Sequence, residues 1–478
     1  AVQWTLYYPP ITPAGFVPVA DCRVVAPDNR VSCLIARAEQ LLRVGRVEEA
    51  QANIGDALAV APYSSSAKAL SSIISLVGND KAEALRLAKE AVEATANSAP
   101  VWLALSYAQQ ADFKLEAALT SAQRAAELTP SSALSLARVA ELQLSLGWTR
   151  EAEKTAKQAV VANASESRAH MILGFVHLAQ INVKEAREDF ERSIELDSTD
   201  PLSRLGLGLA IIRKGKLVEG REQIEIAVAL DPTNSLIRSY VGKAYYEENT
   251  KERDNLAATQ FGLAKQMDQM DPTPWFYESI LKQTQNRPVD ALDDLQTSIE
   301  KNDARAVNRS RLLLDDDIAA RTANRAGVFG ELGFERLAIL ESTTALSENP
   351  ANYSAHLLLA TAYANLPRHD IARVSETLQA QIRQPIVVPV VIPQLSTNNL
   401  GILRDTGPSQ SGVNEFSPLF NRNQTRVQVD ALVGNRDTLG DQLVLSGLSD
   451  TFAYAVGQLH YKTAGFVENG SAEKNAYD

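Results

Sequence analysis

The chain has 478 residues, of which 45% are hydrophobic, and its formal net charge is −11. This apolar content is enough to bury a core, which excludes a disordered chain. The net negative charge and the lack of a cluster of Lys and Arg residues exclude a nucleic-acid partner. No apolar run reaches the roughly 18 residues of a membrane-spanning helix. The sequence starts at Ala1 without an initiator methionine, so we expect either a removed leader or a piece of a longer protein.

Two cysteines mark the N-terminal region, where residues 1–30 are predicted to form an extended segment. In an oxidising compartment, Cys22 and Cys33 would form a disulfide that ties this segment to the first helix. A pair of free thiols is the alternative, and the sequence leaves both open. Two cysteines are too few for a structural zinc site.

The strongest pattern is a register of small side chains at intervals of 34 residues. The first series consists of Ala50, Ala84, Ala118, Ala152, Ala186 and Gly220. A second series follows seven residues later and consists of Ala57, Ala91, Ala125, Ala159, Ser193 and Ala227. Because seven residues are two turns along one helix face, the pattern indicates a helix that its neighbour crosses very closely.

Helix-breaking residues divide each repeat into two helices. Prolines that end the second helix follow the second small residue by five positions, at Pro62, Pro130 and Pro232. Glycines that suit the turn between the two helices are Gly45, Gly147 and Gly215. A 34-residue period with these features is typical of tetratricopeptide repeats (TPRs).

The sequence therefore predicts a mainly α fold, a TPR α-solenoid of about ten helical hairpins, followed by a short antiparallel β segment. The repeats are predicted over residues 31–384. The register slips near residues 247–254, where a polar loop is expected, and near residues 302–317. The second slip leaves roughly 13 residues beyond the 34-residue period.

After residue 385 the composition changes. Residues 385–424 are rich in Pro, Val, Asn, Ser and Gly and are predicted to be a linker. In residues 425–478 the polarity alternates with period two, which predicts consecutive antiparallel strands. The predicted strands are Arg426–Val433, Gln442–Ser446 and Thr451–Thr463, with turns at Gly434–Asp437 and Gly447–Asp450.

The first of these strands has one apolar and one polar face. Its outward side chains would be Val427, Val429, Ala431 and Val433, and its inward ones Arg426, Gln428 and Asp430. Three strands cannot close a ring, but this alternation suits the start of an outer-membrane β-barrel. A small soluble β-meander that caps the solenoid is the alternative.

No enzyme and no cofactor are predicted, since the sequence lacks the common metalloprotease, P-loop, nucleophile-elbow and CxxC motifs. His170 and His177 share a helix face, but no third metal ligand is nearby. Asp315–Asp317 is more typical of a solvated acidic turn than of a cation site. Residues predicted to pack inside the repeats are Trp102, Trp275, Gly174 and Gly208.

Candidate ligand contacts follow from the repeat phase. The first helix of each TPR lines the concave face of the superhelix, where exposed side chains select the ligand. The candidates on this face are Tyr107, Arg168, Arg213, Lys243 and Tyr246. Tyr and Arg are frequent anchors of binding surfaces, although each of these residues could equally be a solvated surface residue.

Three stretches resemble one family of bacterial outer-membrane proteins. They are residues 1–10 (AVQWTLYYPP), 308–333 (NRSRLLLDDDIAARTANRAGVFGELG) and 414–466, which includes NEFSPLFNRN and LHYKTAGF. The resemblance implies a signal peptide, a sensor-like β domain similar to iron-dicitrate regulators, a TPR array and a C-terminal β-barrel. The upstream domain and most of the barrel would then be missing from this sequence. The layout is similar to that of the TPR-plus-barrel porins that export cellulose or poly-N-acetylglucosamine.

We therefore expect a non-enzymatic TPR scaffold in the bacterial periplasm, tethered to an outer-membrane barrel through the C-terminal strands. Its groove would bind a protein or polysaccharide partner, with a role in export across the outer membrane. The alternative is a soluble TPR protein–protein adaptor whose C-terminal strands cap the solenoid or pair with another chain.

Overall fold

A computed structural model describes Cys22 and residues 27–301, 318–383, 420 and 422–477, apart from positions 44, 45, 79, 113, 365, 450, 451, 466 and 468. The helices are α1 (Pro27–Arg43), α2 (Val47–Val60), α3 (Ser65–Val77), α4 (Lys81–Ala94), α5 (Ala99–Ala111), α6 (Leu115–Leu128), α7 (Ala133–Ser145), α8 (Thr149–Ala162), α9 (Ser167–Ala179), α10 (Val183–Leu196), α11 (Pro201–Arg213), α12 (Leu217–Leu230), α13 (Ser235–Tyr246), α14 (Lys251–Met267), α15 (Thr273–Thr284), α16 (Pro288–Glu300), α17 (Ile318–Glu331), α18 (Glu335–Glu348), α19 (Tyr353–Ala364) and α20 (Asp370–Arg383). The strands are β1 (Gln424–Gly434), β2 (Thr438–Ser449), β3 (Phe452–Thr463) and β4 (Ala472–Tyr477).

Consecutive helices pair as hairpins, from α1 with α2 to α19 with α20, and this confirms the predicted TPR solenoid. The first hairpin begins at Pro27, four residues before the predicted start of the repeats. Most odd-numbered helices pack against the odd-numbered helix of the next repeat, as α3 does with α5 and α7 with α9, whereas even-numbered helices pack mainly on the odd-numbered helices beside them. We call the surface formed by the odd-numbered helices the inner wall. Among the described helices, none is long and apolar enough to cross a membrane.

The small-residue register lies at the closest helix crossings. Ala84, Ala118 and Ala152 are fully buried. Where the crossing is tightest, both helices carry glycine: a Cβ added to Gly208 would lie 2.6 Å from the carbonyl oxygen of Gly220. A Cβ added to Gly174 would lie 2.8 Å from the ring of Phe190, a buried residue of the next helix. Bulk is therefore excluded at these positions by the backbone and rings of the partner helix.

Replacing Ala118 by leucine is expected to lower the free energy of unfolding by about 1–3 kcal/mol, because the added methyl groups would overpack the crossing of α6 with its neighbours. Ala82→Leu on the exposed side of α4 is the matched control and should change stability little. Thermal and urea unfolding of the two variants measure the difference. Equal stability of Ala118→Leu and the parent would show that the predicted repeat phase is wrong.

The turns between helices follow the predicted glycines. Gly147 and Gly215 have φ of +79° and +92°, a backbone conformation that favours glycine. Gly45 lies outside the described residues.

Of the two predicted insertions, the one near residues 247–254 is a lengthened helix. Helix α14 begins at Lys251 and has 17 residues, compared with 14 in α12. Its start is capped by Thr250, whose side-chain oxygen accepts a hydrogen bond from the Arg253 amide at 3.3 Å. The polar loop is therefore confined to residues 247–250, and residues 251–254, which were also predicted to be loop, extend α14 by almost one turn. Residues 302–317, with Asp315–Asp317, lie outside the described residues.

Cys22 and Cys33 are joined by a disulfide in the structure, with their Cα atoms 5.7 Å apart. Cys22 is 2% exposed and packs with Leu34, Ala57 and Ala67 of the first two repeats. The bond thereby attaches residue 22 to α1.

Protein taken from its native compartment should therefore contain one disulfide between Cys22 and Cys33, the only two cysteines of the chain. Intact mass after alkylation, with and without prior reduction, measures this. We expect alkylation only after reduction, because bonded sulfurs do not react. Two alkylated thiols without reduction would contradict both the bond and an oxidising compartment.

The C-terminal strands form one antiparallel sheet in the order β1-β2-β3-β4. The predicted turn at Gly447–Asp450 was wrong, because Gly447 and Ser449 lie within β2. A Cβ at position 447 would meet the hydroxyl end of Tyr454 on β3, so a larger residue there would require the Tyr454 side chain to move. The fourth strand was not predicted.

The two faces of the sheet differ in exposure. Val427, Val429 and Val433 of β1 are 62%, 69% and 79% exposed, and Ala431 is also exposed. The side chains of Arg426, Gln428 and Asp430 lie outside the described part of the structure. The apolar surface continues on the neighbouring strands. Residues that lie in line with the outward side chains of β1 across the sheet are also exposed: Leu439, Leu443, Leu445 and Val456. Residues of the opposite face that are buried are Ser446, Leu448, Leu459 and Thr463.

Candidate functional site

All five predicted groove residues lie on helices of the inner wall: Tyr107 on α5, Arg168 on α9, Arg213 on α11, and Lys243 and Tyr246 on α13. Tyr107 and Tyr246 are half-buried. The expectation of exposed side chains was wrong for Arg168, Arg213 and Lys243, which are 7%, 5% and 1% exposed.

Tyr107 and Arg168 belong to one buried group, the arginine cluster, whose other members are Arg138 and Glu141. The guanidinium of Arg138 stacks on the Tyr107 ring, 3.8 Å from its centroid. Glu141 bridges the two arginines: its Oε2 is 2.7 Å from Arg168 Nη2 and its Oε1 is 3.3 Å from Arg138 Nη1. Arg168 Nη2 also donates to the Tyr107 hydroxyl. Three repeats thus contribute to one polar group in the inner wall.

The cluster contains two guanidinium groups and one carboxylate in a desolvated place. Burial lowers the pKa of Arg138 to about 10; Tyr107 opposes this shift and the charge of Arg168 adds to it. Arg168 donates through Nη2, but its buried Nε and Nη1 have no hydrogen-bond acceptor among the described residues. Unpaired buried donors cost free energy, so an acceptor supplied by a ligand would be favoured here.

Sequence reasoning missed Arg138 and Glu141. The sequence of α7, ALSLARVAELQLS, could have indicated them. It consists mostly of apolar and small residues, and the arginine and glutamate, three positions apart, are its only charged residues. Residues three apart lie on the same helix face, so the pair is placed to interact.

Arg213, Lys243 and Tyr246 lie instead around a short part of the chain's own C-terminal region, which we call the docked segment: Phe420, Arg422 and Asn423. Phe420 is 2% exposed. Its ring stacks on Tyr240 with centroids 5.7 Å apart and an interplanar angle of 29°. The ammonium of Lys243 is 5.6 Å from the Phe420 centroid and 4.7 Å from that of Tyr246.

The docked segment is also held by charge and by backbone. Arg422 Nη1 is 2.6 Å from Glu247 Oε2, and Glu247 also pairs with Lys243. The Asn423 amide donates to the carbonyl oxygen of Arg213 at 3.1 Å. Arg213 is the last residue of α11, and carbonyls in the last turn of a helix commonly accept hydrogen bonds from outside the helix.

The Glu247 pair predicts an acid-sensitive contact. Burial raises the pKa of Glu247, but the charges of Lys243 and Arg422 outweigh this and lower it from 4.5 to about 2. A lowered folded-state pKa means that the contribution to stability is complete above pH 4.5 and is lost as the pH falls toward 2. Hydrogen-exchange protection of the Asn423 amide should decrease over this window in the parent, and Glu247→Gln should remove that pH dependence. Constant protection of the parent over the window would contradict the assignment.

The remaining residues singled out in the sequence have structural partners. Trp102 donates from Nε1 to the Ala96 carbonyl at 2.7 Å, and Lys265 lies 3.7 Å above the Trp275 ring. His177 Nδ1 is 2.7 Å from a carboxylate oxygen of Asp189. Within the described ranges, no three His, Cys, Asp or Glu side chains are grouped as metal ligands.

A tetratricopeptide-repeat family model matches residues 138–201. A thermophilic TPR protein of Thermus thermophilus is similar in structure at 20% identity, over 42% of this chain and all of that one, with a TM-score of 0.35. A TPR protein from Parabacteroides merdae is similar at 16% identity over 51% of this chain and 97% of that chain, with a TM-score of 0.39.

The APC/C heterotetramer Cut9–Hcn1 is similar at 13% identity over 75% of this chain and 82% of that chain, with a TM-score of 0.46. No curated protein sequence matches this chain significantly. The family match assigns a tetratricopeptide repeat to residues 138–201, and helical hairpins of the same kind continue on both sides of it.

Proposed function

We propose that this TPR-repeat protein is a non-enzymatic binding scaffold of the bacterial cell envelope, with its repeats in the periplasm and its C-terminal strands in the outer membrane. Its inner wall holds a protein or polymer partner, as TPR arrays expose their first helices to ligands. The observation that carries the binding role is the arginine cluster, because two buried nitrogens of Arg168 have no acceptor among the residues that the structure describes.

The cluster favours a ligand with a carboxylate or a similar anionic acceptor. A carboxylate can take two hydrogen bonds at once from a guanidinium, and such charge-assisted pairs are among the strongest polar contacts. Arg168 keeps 7% of its surface exposed, beside the half-buried ring of Tyr107. An acidic side chain of a peptide, or an acidic group of a polymer, fits this chemistry.

Site-specific cross-linking in cells tests the binding role. We place p-benzoylphenylalanine at Tyr107 on the inner wall, or at Val161 on α8, which is 88% exposed. A discrete adduct is expected from Tyr107 and not from Val161. Arg168→Glu should remove the adduct by repelling an anionic ligand. Equal adducts from both positions, or an adduct insensitive to Arg168→Glu, would contradict binding at the cluster.

The sheet supports the membrane part of the proposal. In a soluble protein an exposed sheet face is normally polar and the apolar face is covered. Here Val427, Val429 and Val433 of β1 are exposed, while the opposite face buries Leu448 and Leu459 together with Ser446 and Thr463. Exposed apolar side chains gathered on one sheet face favour a lipid or protein partner, and alternation with outward apolar residues is the pattern of outer-membrane strands.

Fractionation of the full-length protein tests the location. After proteolytic cleavage near Ile386–Pro393, the repeats should be extracted with buffer, while the C-terminal part should stay with outer membranes until detergent is added. A covalently intact chain that is recovered without detergent would contradict the membrane attachment and favour the soluble adaptor.

A further inference from the structure

The docked segment occupies the inner wall in the manner of a peptide ligand. We propose that the surface formed by Tyr240, Lys243, Glu247 and the Arg213 carbonyl is a peptide-recognition site. Its ligand is a short segment with an aromatic residue, an arginine two positions later and a backbone N–H that follows. The chain's own docked segment fills this site in cis, and a partner with the same chemistry fills it in trans.

Three independent contacts define the specificity. The aromatic side chain stacks on Tyr240 and is covered by the Lys243 ammonium, so a flat ring is favoured over an aliphatic side chain. The arginine pairs with Glu247 through Nη1 and also approaches the Glu247 carbonyl with Nη2 at 3.4 Å. The backbone contact to Arg213 depends on no side chain and fixes the register of the ligand.

The turn after α11 is shaped to admit this ligand. A Cβ on Gly215 would lie 2.9 Å from the carbonyl oxygen of Asn423, and Gly215 also has φ of +92°. Glycine at this position therefore allows the positive φ at the end of α11 and also leaves space for the docked segment. A turn that only connected α11 and α12 would need the positive φ but not the space for Asn423.

The contact is local. Among the described residues, the docked segment contributes the Phe420 ring, which joins the core cluster that contains Tyr240; the Arg422 ion pair and hydrogen bond with Glu247; and the Asn423 backbone hydrogen bond. Strand β1 begins directly after it at Gln424. A tethered ligand of this kind competes with a free one at an effective concentration on the order of millimolar. Releasing the tethered segment should therefore expose the site to a peptide added in trans.

The test uses the full chain and a fluorescent peptide of residues 414–425, with binding measured by anisotropy. The parent chain should bind the peptide weakly. The double variant Phe420→Ala/Arg422→Ala should bind about tenfold more tightly or better, because the competing cis ligand is gone. Phe452→Ala, which removes a 65% exposed aromatic of the sheet, is the matched control and should behave as the parent.

A cycle of substitutions shows whether the peptide uses the same contacts. In the released chain, Glu247→Gln should weaken the normal peptide by about tenfold, as expected for a charge-assisted pair, but should leave a peptide with Arg422→Gln unaffected. Helical circular dichroism of each variant confirms that the repeats remain folded. If the released chain binds no better than the parent, or a peptide lacking Phe420 binds equally well, the segment is only a structural anchor.

This site on α11–α14 is separate from the arginine cluster on α5–α9, so either assignment can fail alone.

Discussion

Replacing Glu141 by glutamine is expected to lower the free energy of unfolding by about 3–5 kcal/mol, because it leaves two buried guanidinium groups without their carboxylate. Glu141 and Arg138 have side chains only 1% exposed, and Arg168 is 7% exposed. Water therefore cannot compensate the lost charge. Urea unfolding followed by circular dichroism measures the loss.

Two comparisons separate the charge effect from packing. Glu153→Gln breaks an exposed pair with Lys157, whose side chains are 28% and 56% exposed, and should cost about 0–1 kcal/mol. Replacing Arg138, Glu141 and Arg168 together by Met, Leu and Met should recover most of the stability lost in Glu141→Gln, because buried ion pairs are often no more stabilising than apolar residues. A triple variant as unstable as Glu141→Gln would show that the loss does not come from uncompensated charge. If the cluster exists for binding, the triple variant should also lose the Tyr107 cross-link while it remains folded.

The repeats could be predicted from the sequence because their constraint is local and periodic. A crossing that admits only a small side chain at Ala84 must be met again one repeat later at Ala118, and both are fully buried. The same periodicity placed Tyr107 and Arg168 on the inner wall. The periodicity could not indicate that these two side chains are buried. Their burial depends on contacts with Arg138 and Glu141, and these contacts follow from three-dimensional packing rather than from the repeat.

The docked segment could not be predicted for a related reason. Arg422 and Glu247 are 175 residues apart, and a single contact at that separation leaves no periodic signal. The phenylalanine and arginine of NEFSPLFNRN, within a region otherwise rich in Asn, Ser, Gly and Pro, were the only local indication. The sheet was predicted in part: β1 alternates clearly, but β4 (AEKNAY) is mostly polar and is defined by its backbone pairing with β3.

The slip at residues 247–254 shows the limit of register arguments. Three additional residues can lengthen either a loop or a helix, and the period alone does not distinguish these cases. Thr250 as a cap and Glu252 and Asp254 in the first turn favour the helix, since they satisfy and complement the free N–H groups at its start. Here the capping residues distinguish a lengthened helix from a lengthened loop, which the repeat spacing does not.

The second large effect is expected at the sheet. If the C-terminal strands lie in the outer membrane as proposed, Val429→Arg in the full-length protein should destabilise the C-terminal part by about 2–4 kcal/mol where this residue faces the middle of the bilayer. Gln442→Arg is the matched control, because Gln442 lies on the neighbouring strand and the opposite face of the same sheet. Protease resistance and the fraction retained in detergent-extracted outer membranes measure the two variants.

The contrast between these variants distinguishes lipid from protein as the partner of the apolar face. If the partner is lipid, a charge at Val429, which is 69% exposed, should be penalised, and a charge at Gln442 on the opposite face should be tolerated as on the lumen side of a barrel. If the strands instead pair with another soluble chain, Val429→Arg should abolish that association while the protein itself stays in the buffer-soluble fraction. Equal membrane retention of both variants would contradict lipid contact at β1. The apolar face would then be a protein-binding surface, and the soluble adaptor would be the better account of the molecule.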